Sequence, residues 1–137
     1  MLLNKMGGVL NPGDCIATPI NRTSCDLKCH YVLHTVGPRW KNVNKCEGWN
    51  IIMNCIGHIF EEASRLQCSS VALPAISCGI FGGDEETTIF TIEKLVEGTI
   101  ELMRTEKYAN IRIFDFVLLK DAKTLTFFKK AVQEYDS

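Results

Sequence analysis

"VALPAISCGIFGGDEETT", residues 71–88, changes character twice within one short stretch. It opens as an apolar run, Val71–Leu73, and closes in an acid-rich segment with helical spacing. Between them, Pro74–Gly83 carries three glycines, a serine and one aromatic. A strand feeding a glycine-rich turn and then a helix is the repeating unit of α/β proteins. Such a turn can offer an anion its backbone N–H groups and the positive end of the next helix. Gly79, Gly82 and Gly83 permit positive φ and close approach of a ligand. Ser77 adds a hydroxyl, and Phe81, in neither strand nor helix register, is placed to cover a sugar or lie beside a base. The run does not end in Gly-Lys-Ser/Thr and does not match G-x-G-x-x-G, which disfavours P-loop hydrolysis and the dinucleotide fingerprint. On these residues alone, a phosphate cradle and a plain strand-to-helix turn are equally supported.

The flanks extend the pattern. Downstream, Ile89, Ile92, Leu95, Val96, Ile100 and Met103 recur at helical steps; Asp84 is the expected N-cap, and Glu85 and Glu86 suit the positive end of the dipole. "IRIFDFVLL" (111–119) predicts a strand. "AKTLTFFKKAVQEY" (122–135) predicts a helix burying Leu125, Phe128, Ala131, Val132 and Tyr135, with Asp121 near its cap. Upstream, "GWNIIMNCIGHIFEEASRLQC" (48–68) predicts an amphipathic helix with a stripe of Ile51, Ile52, Cys55, Ile56, Ile59, Phe60, Ala63 and Leu66, capped by Asn50. "SVALP" (70–74) is short and uniformly apolar, the pattern of a strand buried on both faces. "DCIATP" (14–19) follows a Pro-Gly turn, and "CHYVLHTV" (29–36) is a strand stopped by Gly37-Pro38. The latter part thus runs β-α-β-α-β-α, which predicts an α/β fold with a mostly parallel sheet and right-handed crossovers. In such sheets ligands gather at the carboxyl ends of the strands, where Pro74–Gly83 falls.

A chain of 137 residues, 46% hydrophobic and 23% charged, is sized and composed for one globular domain spanning 1–137. A net charge of −1 supplies no basic field to attract nucleic acid or an anionic membrane. No apolar run approaches the ~18 residues that span a bilayer, and "MLLNKMGGVLNPGD" is too short and too broken for a secretory core. The expected setting is cytoplasmic or nuclear, where seven cysteines, an odd number, read as reduced thiols. Cys25, Cys29, His30 and His34 invite a test for zinc. Strand alternation sets Cys29 opposite His30 and His34, and Cys46 has no close partner, so thiols and strand histidines are the preferred reading. His34 is expected to be packed and His58 partly exposed, neither as a catalytic base. Cys78, beside a helix start, is the thiol whose pKa the position could depress, though core filling is the simpler role.

"HTVGPRW" (34–40), followed by a helix and then "VALPAISCGIFGGDEETT" (71–88), resembles the macrodomain family, most closely the macrodomains attached to interferon-associated ADP-ribosyltransferases. "LNPGDCIATP" and "FVLLKDAKTLTFFKKAV" are similar to the family's G-D-x-x-x-T segment and its last strand and helix. The resemblance implies a three-layer α-β-α fold with a mixed, mostly parallel sheet, and a module that binds ADP-ribose or ADP-ribosylated proteins in an innate-immunity setting. It implies that Ser77, Cys78, Gly79, Ile80, Phe81 and Gly82 wrap the diphosphate, with Phe81 against the distal ribose. Val36, Gly37 and Pro38 would add strand-end contacts, and no cofactor or metal is called for. Gly83 and Asp84 depart from the family pattern, where an apolar residue and a proline often follow.

The same resemblance implies that roughly 40–60 N-terminal residues of a full macrodomain are missing here, against a usual domain nearer 170–190. They would carry an aspartate for the adenine, an "N-A-A-N" strand end whose asparagine serves hydrolysis in active members, and a first phosphate loop of the "G-G-G-V-A" kind. "MGGVL" (6–10) lies too close to Asp14 to be that loop. Such a truncated sheet would expose an edge that invites homo-oligomerisation. With the asparagine absent, the expected function is binding rather than catalysis, the alternatives being an ADP-ribosylhydrolase or a non-binding interaction domain.

Overall fold

A computed structural model describes residues 10–20, 28–78, 83–118 and 122–136. Four strands and three long helices follow in the order β1 (Cys15–Pro19), β2 (Tyr31–Thr35), α1 (Lys45–Arg65), β3 (Ser70–Leu73), α2 (Glu85–Met103), β4 (Ile113–Phe116) and α3 (Ala122–Tyr135). Single 3₁₀ turns lie at Trp40–Asn42 and Glu106–Tyr108. Every element expected from the sequence is present.

The helix starts are set by side chains that accept orphan N–H groups. The carboxylate of Asp84 accepts from the Thr87 N–H at 2.8 Å, as its position predicts. For α1 the cap is Asn44, not Asn50: the Asn44 Oδ1 accepts from the Glu47 N–H at 2.8 Å, and its amide donates to the Glu47 carboxylate. Asn44 with Glu47 is a reciprocal capping pair, and it starts the helix a turn earlier than the apolar stripe does. At the other end, Gln67 takes a left-handed φ of 58°, with Gln67 N–H on the Ser64 carbonyl and Cys68 N–H on the Ala63 carbonyl. This is a Schellman stop built without glycine. The cap expected at Asp121 lies outside the described residues.

The mixed sheet comes as two pairs. β1 and β2 are antiparallel, with Cys15 opposite Thr35 and Pro19 opposite Tyr31. β3 and β4 are parallel, with Ser70 beside Ile113 and Leu73 beside Phe116. β2 and β3 share no ladder, so each described strand keeps one edge unpaired among the described residues. On β4, Phe114 and Phe116 point to one side by strand alternation. Phe114 stacks on Phe60 of α1 at 5.5 Å, and Phe116 meets Phe128 of α3 at 4.9 Å. Ile52, Ile56, Ile59 and Phe60 of α1 and Ile92, Leu95 and Val96 of α2 close the core on that side.

One-sided packing corrects two expectations. β3 is buried on one face only, because Ser70 and Ala72 point to the face that carries no helix among the described residues, while Leu73 is buried. On the same bare face Ile113 and Val117 are 54% and 57% exposed. In α3 the core takes Phe128 and Ala131, whereas Leu125 and Val132, at 43% and 39% exposure, flank an open apolar groove with Phe116 and Leu118. The buried face is narrower than the apolar stripe on each side, and period alone does not reveal that width.

Two glycines of α1 test the packing in opposite directions. A Cβ at Gly48 would lie 2.1 Å from the Trp40 ring, so Gly48→Ala should cost about 1–3 kcal/mol in chemical denaturation. A Cβ at Gly57 would meet nothing within 4 Å, and Gly57→Ala should stabilise by about 0.5–1 kcal/mol. In α2 the buried Thr99 hydroxyl has no hydrogen-bond partner among the described residues, so Thr99→Val should raise stability by about 1 kcal/mol in the same assay.

Candidate functional site

The carboxyl ends of β2 and β3 converge, and glycine is what lets them. A Cβ on Gly37 would sit 2.2 Å from Ile76 Cγ2 and 2.4 Å from Ser77 Oγ, so any other residue there would push the two strand ends apart. The Ser77 hydroxyl, buried, donates to the Pro38 carbonyl at 2.7 Å across 39 residues of chain. Val36, one step back, is also engaged: its carbonyl accepts from the Gly13 N–H at 2.7 Å and from the Cys55 thiol at 3.2 Å. The segment 36–38 and the stem Pro74–Cys78 are therefore one joined structure.

The far side of the glycine run is held by the same segment. Gly83 has φ of 71°, a left-handed backbone suited to glycine, and a Cβ there would lie 3.4 Å from Trp40 Cβ. Trp40 is buried, and its indole N–H donates to Thr91 Oγ1 at 2.9 Å; the Thr91 hydroxyl in turn donates to the Thr87 carbonyl at 2.8 Å. Gly37 to Trp40 thus fastens both stems of the run, through Ser77 on one side and through Gly83 and α2 on the other. Sequence reasoning assigns no role to Trp40 or Thr91. The available signal is Gly48, a glycine near the start of a predicted helix, which leaves room for the Trp40 ring. Gly79, Ile80, Phe81 and Gly82 lie outside the described residues.

Electrostatics at the start of α2 weigh against a site built on the helix dipole alone. Hydrogen bonds from the Thr87 side chain and backbone N–H hold the Asp84 carboxyl below the usual carboxylate range, so it stands ionised on the helix end. Glu85 and Glu86 add negative charge, offset in part by the ion pair of Glu85 with Lys123. Two donors of the first turn are already spent, Thr87 N–H on the Asp84 side chain and Thr88 N–H on the Asp84 carbonyl. The carboxylates of Asp84, Glu85 and Glu86 therefore oppose the positive end of the α2 dipole.

The other candidates take structural roles. Burial pushes the Cys78 thiol up to about 11, opposite to the depression a reactive cysteine needs, and its Sγ faces the Ile76 carbonyl. Burial and then the nearby Glu62 carboxylate raise Cys15 to about 12. His34 is exposed rather than packed: it points to the face of the β1–β2 pair away from α1, where its Nε2 meets Thr18 Oγ1 at 2.8 Å. His58 Nδ1 lies 2.6 Å from the Gly13 carbonyl and donates to it. No three His, Cys, Asp or Glu side chains come together as a metal site among the described residues.

The Macro domain family model matches residues 2–92. Among curated proteins, a Macro domain-containing protein of Listeria monocytogenes is 33% identical over 102 residues, covering 70% of this chain and 57% of that protein. The Oceanobacillus iheyensis macrodomain solved with ADP superposes with a TM-score of 0.73 at 21% identity, covering 98% of this chain and 65% of that one. The Trypanosoma brucei macrodomain in complex with ADP gives a TM-score of 0.73 at 20% identity, covering 96% of this chain and 51% of that one. The chain spans less than two thirds of each of these relatives.

The thiols yield a prediction of their own. Alkylation of the folded protein at neutral pH should label exposed Cys46 well before Cys15, Cys55 or Cys78, as read by peptide mass mapping. Cys15, Cys55 and Cys78 all have raised folded pKa values, so their contribution to stability is complete below the ordinary thiol value of 9.0. It is lost as pH climbs toward about 11 and 12, and the melting temperature should fall across that window.

Proposed function

The chain belongs to the macrodomain family, and on that premise we propose that it is a binding module for ADP-ribose and mono-ADP-ribosylated proteins. The observation that carries this reading is the junction of 36–38 with 74–78, sealed by the Ser77–Pro38 hydrogen bond. It brings two motifs distant in sequence together at the strand ends, the place where an α/β sheet receives ligands. Relatives of the same fold were solved with ADP, a ligand bearing the diphosphate that such a run would wrap. Backbone N–H groups of residues 77–82 supply the diphosphate contacts in this reading, Phe81 packs on the distal ribose, and Val36, Gly37 and Pro38 form the wall behind them. The module acts in the cytoplasm or nucleus.

Binding without hydrolysis is the form of the function supported here. The two histidines that could serve as bases are occupied, His34 with Thr18 and His58 with the Gly13 carbonyl. Cys78 is held as the neutral thiol by its burial. The expected Kd is on the order of 1 mM or tighter.

Calorimetric titration with ADP-ribose should show saturable heat in that range, with a matching rise in melting temperature. Neither heat nor thermal shift at millimolar ligand would remove the proposal. Incubation with a mono-ADP-ribosylated protein should release no ADP-ribose; steady release above the buffer control would favour the hydrolase instead.

A further inference from the structure

Resting on the ADP-ribose reading, we propose that Ser77 is a positioning residue whose buried hydroxyl latches the stem Pro74–Cys78 onto the end of β2 and so fixes how the chain is presented to the ligand. Ser77 is 8% exposed, and its φ of 59° lies in the left-handed region. A residue with a Cβ is disfavoured there, and glycine or asparagine would be the ordinary choice. Gln67, the other described non-glycine residue with positive φ, has a helix to terminate. Ser77 has none; what its conformation achieves is to aim Oγ at the Pro38 carbonyl, 2.7 Å away.

The contact is built from both sides. Pro38 is fully buried, so its carbonyl is sheltered from water and relies on the serine. Gly37 leaves the space that Ile76 and Ser77 fill, since a methyl group in its place would come within 2.2 and 2.4 Å of them. Within the stem the backbone bonds are local turns, Ile76 N–H to the Pro74 carbonyl and Cys78 N–H to the Ala75 carbonyl. These shape the stem without tying it to β2. The hydroxyl does that, and it is directed to the protein rather than offered to a phosphate.

Two substitutions separate the hydroxyl from the backbone. Ser77→Gly removes the hydroxyl while relieving the left-handed backbone, and Ser77→Thr keeps a hydroxyl while adding a branch that this backbone disfavours. The latch predicts a crossed result. Ser77→Gly should melt close to the parent yet bind ADP-ribose roughly tenfold more weakly, and Ser77→Thr should melt lower yet retain most of the affinity. Ser77→Gly should also speed amide exchange across residues 75–78 in the ligand-free protein.

If affinity instead follows melting temperature, with Ser77→Gly binding as well as the parent, the positioning role is overturned and the ADP-ribose reading stands. If the parent chain shows no binding, the ADP-ribose reading fails and takes the positioning role with it. The exchange measurement then reports whether the latch itself holds the stem; unchanged exchange in Ser77→Gly would dismiss the latch as well.

Discussion

Burying the Trp40 indole is the constraint on which the rest of the structure depends. A buried indole needs an acceptor for its N–H and a space wide enough for two rings. Thr91 supplies the acceptor by turning its own hydroxyl proton back to the Thr87 carbonyl, which leaves a lone pair facing the indole. Gly48 supplies the space, since its missing side chain is where the ring lies. Phe90 closes the remaining edge in a T-shaped contact at 5.9 Å, with Lys45 over its other side. One side chain thereby sets the exit of β2, the first turns of α1 and the start of α2 relative to one another.

From that anchor the candidate site follows mechanically. The segment leaving β2 passes Gly37 and Pro38 on its way to Trp40, and the stem after β3 meets it at Ser77. Gly83, on the far side of the run, lies against Trp40. The two stems of the glycine run are thus held on one scaffold segment. At the start of α2 the acidic residues Asp84, Glu85 and Glu86 offset the positive end of the helix dipole.

Much of the fold is legible in the sequence because it rests on local chemistry. Periodicity locates α1, α2 and α3, and Asp84 names its own cap. Where expectation fails, the cause is non-local or lies outside the apolar pattern. The stripe favours Asn50 over Asn44 because it begins after Asn50, yet a cap acts through the next three residues and Glu47 completes the pair only with Asn44. β3 reads as doubly buried because its residues are apolar, but Ala72 is indifferent to exposure and the layer that would cover it is not among the described residues. Leu125 and Val132 have the right spacing for a stripe that the described strands do not cover. Cys78 sits near a helix start in sequence, and desolvation decides its proton instead.

By itself the sequence determined the order and kind of the elements, the glycine run at a strand end, and the motifs that mark the family, since all of these are properties of neighbouring residues. Tertiary structure alone decided that Ser77 would spend its hydroxyl on Pro38, that Gly37 and Gly48 exist to admit Ile76 and Trp40, and that the helices would cover one face of the β3–β4 pair. Those outcomes depend on contacts between residues distant along the chain, and a single sequence carries no direct record of which distant groups will compete for the same space or the same proton.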